Sequence, residues 1–188
     1  MFHGGVALLV KNIFMHNHIQ LNTFLQAVAA RITCFKSITV CSVYLPPTSK
    51  WTKHDLEDLI NQRPPPIVLL GDFNAHINEW GCPKNITKGK MISDLLLQRK
   101  LSLLNDGYAT YLHSSSGSQS AIDLSICNPS LYLDFLWKVH DDLCGSDHFP
   151  IIIDSDRAVH LEAQQSRLGH FSDLKADCII KAADPVSN

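Results

Sequence analysis

Charged residues are scarce in this chain of 188 residues: Asp, Glu, Lys and Arg make up 18% of it, against roughly a quarter in an average soluble domain. The net charge is −2 with histidine neutral. Such a low charge content argues against an intrinsically disordered chain. The slightly acidic balance excludes a strongly basic surface spread over the whole molecule, so any contact with phosphate has to come from a local site.

Long hydrophobic runs and paired cysteines are also absent. The apolar run at residues 6–10 is too short for the hydrophobic region of a signal peptide or for a membrane span. Six cysteines are present, but none forms a CxxC motif and none has the His/Cys spacing of a zinc site. Scattered cysteines without a secretory signal are typical of a reducing compartment, so we expect an intracellular protein without a membrane segment.

The apolar pattern predicts a mixed α/β domain in which strands are interrupted by two helices. Alternating apolar residues on either side of residues 36–37 favour a β-hairpin that ends at Pro46. Thr52 is a good N-cap for the first helix, and three prolines at residues 64–66 end it. The remaining predicted elements are a buried strand at residues 6–10, a strand at 67–70, a helix at roughly 89–99, and strands at 101–104, 121–127, 133–139 and 149–153.

The length of the chain favours one domain. The regular apolar pattern fades beyond Asp154. We therefore interpret residues 1–154 as the folded domain and residues 155–188 as a tail or linker.

Polar side chains gather where the apolar strands end. Asp72 and Asn74 directly follow a short buried strand, Asp123 lies within an otherwise apolar strand, and Asp147 and His148 occupy a polar loop. Converging carboxylates bind Mg²⁺, which prefers hard oxygen ligands. A histidine beside them transfers protons or stabilises charge near neutral pH. Together these groups are the parts of a site for metal-assisted hydrolysis of a phosphate ester.

Most of these residues also have a purely structural explanation. Asp72 and Asn74 both suit a turn after a glycine, and Tyr44, whose hydroxyl can bind a phosphate oxygen, also suits the core. Asp123 is harder to explain in this way, because aspartate is depleted in strands. Elsewhere, His16 and His18 form an HxH pair that could bind a metal, although no carboxylate or cysteine lies nearby in the sequence.

Three segments carry a resemblance to a known superfamily. GDFNAH at residues 71–76 and GSDHFPI at residues 145–151 closely resemble signature segments of the endonuclease/exonuclease/phosphatase superfamily, and SAIDLSI at residues 120–126 is similar to its third signature. The resemblance implies a two-sheet β-sandwich flanked by helices. It also implies cleavage of phosphate esters with Mg²⁺ or Mn²⁺.

Further segments resemble one branch of this superfamily more narrowly. GGVALLV at residues 4–10, VYLPP at residues 43–47, and LNDG at residues 104–107 followed by Thr110 are similar to the apurinic-type endonuclease domain of non-LTR (LINE-like, jockey-like) retrotransposons. The resemblance runs from about residue 4 to residue 153. The ordered combination of motifs is specific, whereas any one motif alone is not.

The resemblance implies a role for each motif residue. Asp72 activates or positions the attacking water, and Asn74 orients it. His148 stabilises or protonates at the scissile phosphate, and Asp123 orients the imidazole of His148 by accepting a ring N–H.

Metal and substrate contacts are implied in the same way. Asp147 helps to hold the Mg²⁺ or Mn²⁺ ion. Tyr44 contacts the phosphate, and Ser120 contacts the DNA backbone.

The sequence departs from the family pattern at its amino terminus. Family domains begin with a strand carrying an asparagine and a second strand carrying a metal-binding glutamate, and both precede the segment that residues 4–10 resemble. Only three residues precede Gly4 here. We therefore expect a domain that lacks its first strand or strands, with weakened Mg²⁺ binding and impaired activity.

The function implied is that of a DNA-nicking endonuclease domain of a non-LTR retrotransposon. In the intact element this domain is expected to act in the nucleus together with a reverse-transcriptase domain. Two alternatives remain open: a catalytically inactive retroelement remnant, and a phosphatase-type member of the same superfamily. The segments VYLPP and SAIDLSI favour the retroelement branch.

Overall fold

The computed structural model describes residues 5–155 and has a six-stranded sheet at its centre. In chain order its strands are β1 (Met15–Ile19), β2 (Gln26–Thr33), β3 (Ser37–Tyr44), β4 (Ile67–Asp72), β5 (Ser102–Leu103) and β8 (Asp123–Cys127). They lie side by side in the order β1-β2-β3-β4-β8-β5. β3 and β4 are parallel, and the other neighbours are antiparallel.

Two small antiparallel ribbons and three helices complete the described fold. The ribbons are β6 (Tyr111–Leu112) with β7 (Gln119–Ser120), and β9 (Leu136–Val139) with β10 (Ile151–Asp154). The helices are α1 (Lys53–Asn61), α2 (Thr87–Arg99) and the short α3 (Pro129–Tyr132), and a 3₁₀ turn covers Asn78–Trp80. The fold is thus a mixed α/β arrangement of sheets flanked by helices, as the resemblance implies.

The crossover from β3 to β4 forms where the sequence predicts it. Thr52 is the N-cap of α1, and a capping box joins it to Asp55, whose carboxylate accepts from the backbone N–H of Thr52 at 2.6 Å. Such a box satisfies N–H groups that the first helical turn leaves without partners. The hairpin of β2 and β3 and the helix α2 are confirmed as well.

The sheet is covered on both faces. On one face, α1 and α2 bury Leu56, Leu59 and Ile92 against the strands in the larger apolar core. On the other face, a smaller core forms beneath β9 and β10, with Trp137 and Ile153 packed against it. This two-sided cover fixes the central strands β3, β4 and β8, and it is these strands that carry the predicted site.

The strand expected at residues 6–10 is wrong. These residues form irregular backbone, and Leu9 is 77% exposed. The strand forms further along the chain, as β1, whose Met15 pairs with Thr33 of β2. An apolar run indicates a tendency to be buried, but a strand also needs a neighbouring strand to pair with. The free edge of β2 pairs with β1, whose sequence is largely polar, so the apolar pattern does not predict it.

The predicted tail lies mostly outside the described residues. β10 ends at Asp154, and residues 156–188 are not described. The division at residue 154 therefore stays a prediction.

Candidate active site

Three of the predicted site residues lie in one row across the central sheet. Tyr44, the last residue of β3, pairs in register with Asp72, the last residue of β4. Asp72 pairs in turn with Asp123, the first residue of β8. Residues paired across neighbouring strands project to the same face of a sheet. The three side chains therefore lie side by side on one face, where β3 and β4 end and β8 begins. Both aspartates are buried, with 7% of the whole residue exposed for Asp72 and 6% for Asp123.

The residue before Asp72 is a glycine, which allows β3 and β4 to pack closely at this point. Gly71 has a φ of 141°, and a Cβ added to it would lie 1.9 Å from the backbone oxygen of Val43 in the neighbouring strand β3. A side chain at this position would therefore force β3 and β4 apart. The Gly-Asp order in the sequence thus has a packing reason in addition to the turn that the sequence indicates.

Asn74 holds the Asp72 carboxylate by two hydrogen bonds. The backbone N–H of Asn74 donates to Asp72 Oδ1 at 2.8 Å, and its side-chain Nδ2 donates to Asp72 Oδ2 at 2.6 Å. Nδ2 also donates to the carbonyl of Leu45 at 3.3 Å. Asn74 adopts a φ of 45°, which folds its amide back over the carboxylate. The turn at Asn74 and the hydrogen-bonded Asp72–Asn74 pair are therefore formed by the same backbone conformation.

His148 meets the row at Asp123, as predicted. Its Nδ1 lies 2.9 Å from Asp123 Oδ2. An ionised carboxylate only accepts hydrogen bonds, so Nδ1–H donates, which fixes the tautomer and leaves Nε2 as the ring nitrogen for proton exchange. Both side chains are mostly covered, with 17% exposure for His148 and 9% for Asp123. Asp72, Asn74, Asp123 and His148 thus come together from distant parts of the sequence.

Two further residues support this pair, and no sequence motif assigns either of them to the site. The ring of Tyr111 packs against the ring of His148, with 4.8 Å between centroids, and the two residues form a β-bridge. The buried hydroxyl of Thr110 accepts from the backbone N–H groups of Ile122 and Asp123, at 3.1 and 3.0 Å. Thr110 stands in one of the resembling segments, but its contacts depend on folding and leave no local signal.

The other two predicted residues lie at the margin of this cluster. Asp147 is exposed, and its backbone carbonyl accepts from the N–H of Leu112 at 2.8 Å. Ser120 is 7% exposed, and its backbone carbonyl accepts from Thr110 N–H at 3.0 Å. A metal role for Asp147 and a DNA contact for Ser120 therefore stay predictions.

Lys88, which belongs to none of the sequence motifs, binds the loop after β3 through hydrogen bonds. Lys88 Nζ donates to the backbone carbonyls of Pro46, Pro47 and Ser49, at 3.3, 2.8 and 3.0 Å. Its ammonium group also lies 5.6 Å from the centre of the Trp51 ring. This one side chain on α2 thereby fixes the loop that leads away from the row of site residues.

His76 belongs to the same motif as Asp72 but has a different environment. Its backbone carbonyl accepts from the N–H of Ile86 at 3.0 Å. Burial, together with the positive charge of Lys84, lowers the pKa of its ring below the ordinary value. The imidazole is therefore neutral at neutral pH, which suits a residue that packs the loop beside the start of α2.

The HxH pair remains without support as a metal site. His16 and His18 are both exposed on β1. Among residues 5–155, no group of three His, Cys, Asp or Glu side chains is placed to hold a metal ion.

A model of the endonuclease–reverse transcriptase family matches residues 38–152. The chain belongs to this family. The matched range begins in β3 and ends in β10, so it includes the whole of the site described above.

Two curated relatives from Drosophila melanogaster support this assignment. The probable RNA-directed DNA polymerase from transposon X-element is 27% identical over 169 residues, which cover 88% of this chain and 18% of the relative. The RNA-directed DNA polymerase from mobile element jockey is 27% identical over 154 residues, with 79% and 17% covered. This chain therefore spans less than a fifth of the length of these two relatives.

Solved structures agree in fold. The endonuclease domain of TRAS1, a telomere-specific non-LTR retrotransposon, superposes with a TM-score of 0.66 at 24% identity, covering 78% of this chain and 70% of that one. The 3′-5′ exonuclease NExo from Neisseria meningitidis gives a TM-score of 0.55 at 18% identity, covering 69% and 64%. The fold of this family member is thus that of the endonuclease/exonuclease/phosphatase superfamily.

Endonucleases of this superfamily generally depend on a divalent metal ion. Carboxylate oxygens, which suit a hard cation, are present on Asp72 in the buried row and on the exposed Asp147 next to His148. Mg²⁺ keeps several of its waters and usually takes one or two carboxylates together with substrate phosphates.

No helix within residues 5–155 has the length and apolar character that crossing a membrane requires.

Proposed function

We propose that this chain is a metal-dependent, DNA-nicking endonuclease domain of a non-LTR retrotransposon. The observation that carries the proposal is the shared row that places the Asp72–Asn74 pair beside the hydrogen-bonded Asp123–His148 pair. Hydrolysis of a phosphodiester needs a positioned water and a group that manages charge and protons at the phosphate, and these two pairs supply both.

Each pair has a distinct task. Asp72 positions and activates the attacking water, and Asn74 holds its carboxylate and orients that water. His148 stabilises charge at the scissile phosphate and exchanges a proton at Nε2. Asp123 keeps the ring in that tautomer by accepting from Nδ1–H.

Mg²⁺ or Mn²⁺ is the proposed cofactor, and Asp147 and Asp72 are the residues proposed to hold it. A bound divalent ion supplies Lewis-acid stabilisation of negative charge on the phosphate oxygens. Tyr44 is the proposed phosphate contact, since it ends β3 directly beside Asp72. Ser120 is proposed to contact the DNA backbone.

The substrate and the wider setting are proposed from the relatives. TRAS1 is described as a telomere-specific non-LTR retrotransposon, and the two curated relatives are RNA-directed DNA polymerases. We infer that DNA is the substrate and that, in the intact element, a reverse-transcriptase domain acts with this domain in the nucleus.

Nicking of supercoiled plasmid DNA tests the proposal. The chain is incubated with plasmid in Mg²⁺, in Mn²⁺ and in excess chelator, and conversion to open circles is followed with time. We expect metal-dependent nicking that Asp72→Ala slows by at least about 100-fold, the scale of a positioned proton-transfer group. Asp94→Ala, which removes an exposed carboxylate on α2, is the matched control and should nick at the wild-type rate.

Two results would contradict the proposal. One is the absence of nicking in both metals, and the other is nicking that Asp72→Ala leaves unchanged. Release of inorganic phosphate from a phosphomonoester without plasmid nicking would instead favour a phosphatase of the same superfamily.

A further inference from the structure

β8, the strand that carries Asp123, is paired along its whole length on one side but only in part on the other. On one side β4 accompanies β8 along its whole length, from Val68 opposite Cys127 to Asp72 opposite Asp123. On the other side β5 pairs only with Cys127 and Ile126. At the end of β8 that bears the site, no strand among residues 5–155 covers this second edge.

Side chains take the place of the missing strand there. The backbone N–H of Leu104 still reaches the carbonyl of Ser125, at 2.8 Å. Beyond it, Asn105 Oδ1 accepts from the N–H of Ser125 at 2.8 Å, and Asn105 Nδ2 donates to the carbonyl of Asp123 at 2.9 Å. Thr110 completes the edge by accepting from the N–H of Asp123.

We infer that Asn105 is a positioning residue that replaces a β-strand at this edge and thereby holds Asp123 against His148. A side-chain amide carries the same donor and acceptor as a peptide group, so it can bond both Asp123 and Ser125 as a residue of a neighbouring strand would. The inference rests on the proposed function, because it assigns Asn105 to the pair that serves the phosphate.

The chemistry of the site explains why an asparagine stands at this position. Asp123 and Ser125 are nearly buried, so backbone groups left without partners there would be costly and would shift. Aspartate in place of Asn105 would keep an acceptor for Ser125 but offer no donor to the Asp123 carbonyl. Leucine would keep the approximate shape and lose both bonds. The sequence N-D-G at residues 105–107 indicates a turn, and its first side chain has this second use.

The consequence for catalysis is geometric. The backbone of Asp123 is fixed on one edge by β4 and on the other by Asn105 and Thr110, so its carboxylate has a defined place at 2.9 Å from His148 Nδ1. Small displacements of catalytic groups reduce rates strongly even when substrate binding persists. Loss of the Asn105 bonds should therefore lower kcat much more than it changes KM.

The sequence offers a matched control at the other end of the same strands. Asn128 Oδ1 accepts from the backbone N–H of Ile67, the first residue of β4, at 2.7 Å. Asn128→Leu thus removes the same kind of bond, between an asparagine side chain and strand backbone, at the opposite end of β8 and far from the site. It should lower the unfolding temperature without disturbing Asp123.

The test compares Asn105→Leu, Asn105→Asp and Asn128→Leu in the full chain. Plasmid nicking gives kcat, KM and their pH profiles, and thermal unfolding gives Tm. We expect at least about a tenfold loss of kcat for both Asn105 variants, with KM changed by less than about twofold and an altered pH profile, because the ring of His148 is no longer held in one tautomer. Asn128→Leu should keep kcat within about twofold at a comparable loss of Tm.

A second readout does not depend on activity. The ¹⁵N resonances of the His148 ring report which nitrogen carries the proton and whether Nδ1–H is hydrogen-bonded. They should change in both Asn105 variants and stay the same in Asn128→Leu. Asn105→Asp serves if Asn105→Leu does not fold.

Three results would overturn the inference: unchanged kcat in the Asn105 variants, equal loss of kcat in Asn128→Leu at equal loss of Tm, or an unchanged His148 ring signal in the Asn105 variants. If the wild-type chain does not nick DNA at all, the proposed function fails, and the ring resonances alone then decide whether Asn105 positions the pair.

Discussion

At the scale of single residues, Asn74 combines the backbone shape and the chemistry of the site most closely. Its φ of 45° lies in the left-handed region, which asparagine tolerates better than most residues with a side chain. In this conformation its amide reaches the Asp72 carboxylate and the Leu45 carbonyl. One residue therefore turns the chain and holds the Asp72 carboxylate.

Two substitutions separate these contributions. Asn74→Gly keeps the left-handed backbone and removes the amide, whereas Asn74→Ala removes the amide and strains the backbone. We expect both variants to lose plasmid nicking to a similar extent. Asn74→Ala should be the less stable of the two by about 1 kcal/mol in urea unfolding. Wild-type nicking by Asn74→Gly would show that the amide has no part in the reaction.

The residues of the site differ in how clearly the sequence alone indicates them. Asp72, Asn74 and His148 stand in motifs with a chemical pattern, and Asp123 is conspicuous as a charge within an apolar strand, so the sequence indicates all four. Asn105 and Thr110 act through hydrogen bonds to backbone groups that only folding brings near. Both stand in the segment that resembles the retroelement branch, but the resemblance assigns neither of them a role in the site.

At the scale of elements, the docking of α2 against the loop that follows β4 shapes the site. A Cβ added to Gly89 would lie 2.2 Å from the backbone oxygen of His76, two residues beyond Asn74. Lys88, the preceding residue, holds the loop after β3 through three carbonyls. The first turn of α2 thus touches both loops that leave the row of site residues.

Gly89→Ala should therefore destabilise the protein, although replacing glycine by alanine in a helix usually stabilises it. In an ordinary helix interior, replacing glycine by alanine stabilises by about 0.5–1 kcal/mol. Here the added methyl group meets backbone, so we expect a loss of about 1–3 kcal/mol in urea unfolding, the range for overpacking. Lys90→Ala, at the next and exposed position, is the control and should change stability by less than about 0.5 kcal/mol. A Gly89→Ala variant more stable than wild type would contradict the close packing of α2.

Elements were predictable where a local signal and tertiary packing agree. The capping box at Thr52 starts α1, and the alternation of residues 38–45 matches β3, because both sequences suit the structure that the fold requires. Residues 6–10 and β1 show the opposite case. Strand formation there depends on the edge of β2, which the apolar pattern of residues 6–10 does not encode.

At the scale of the whole molecule, the central sheet separates two apolar cores, and most residues of β3, one of its two middle strands, are buried. Cys41 on this strand is 0% exposed, and burial raises the pKa of its thiol from 9.0 to about 11. The unfolded chain ionises this thiol at the lower value. The folded state is therefore disfavoured increasingly as pH rises from about 9 to about 11.

Cys41→Ala should remove this contribution. The variant is expected to be less stable than wild type near neutral pH, because it leaves a small cavity. The difference in unfolding free energy between wild type and variant should narrow by up to about 2–3 kcal/mol between about pH 8 and pH 11. The reason is that only the wild type loses stability from the Cys41 thiol in this range, and a pKa shift of two units corresponds to that free energy. Urea unfolding at a series of pH values measures it. A difference that stays constant across this range would contradict the burial of a neutral thiol in β3.

The central claim is that the Asp72–Asn74 and Asp123–His148 pairs form one catalytic unit. A double-mutant cycle on the single-turnover rate of plasmid nicking in Mg²⁺ tests it most directly, with Asp72→Ala, His148→Ala and the combined variant. Groups that act as a unit lose most of their effect together, so we predict that each single variant is severely slowed and that the double variant is no slower than the worse single one. Independent losses that multiply in the double variant, or single variants that nick at the wild-type rate, would contradict the account.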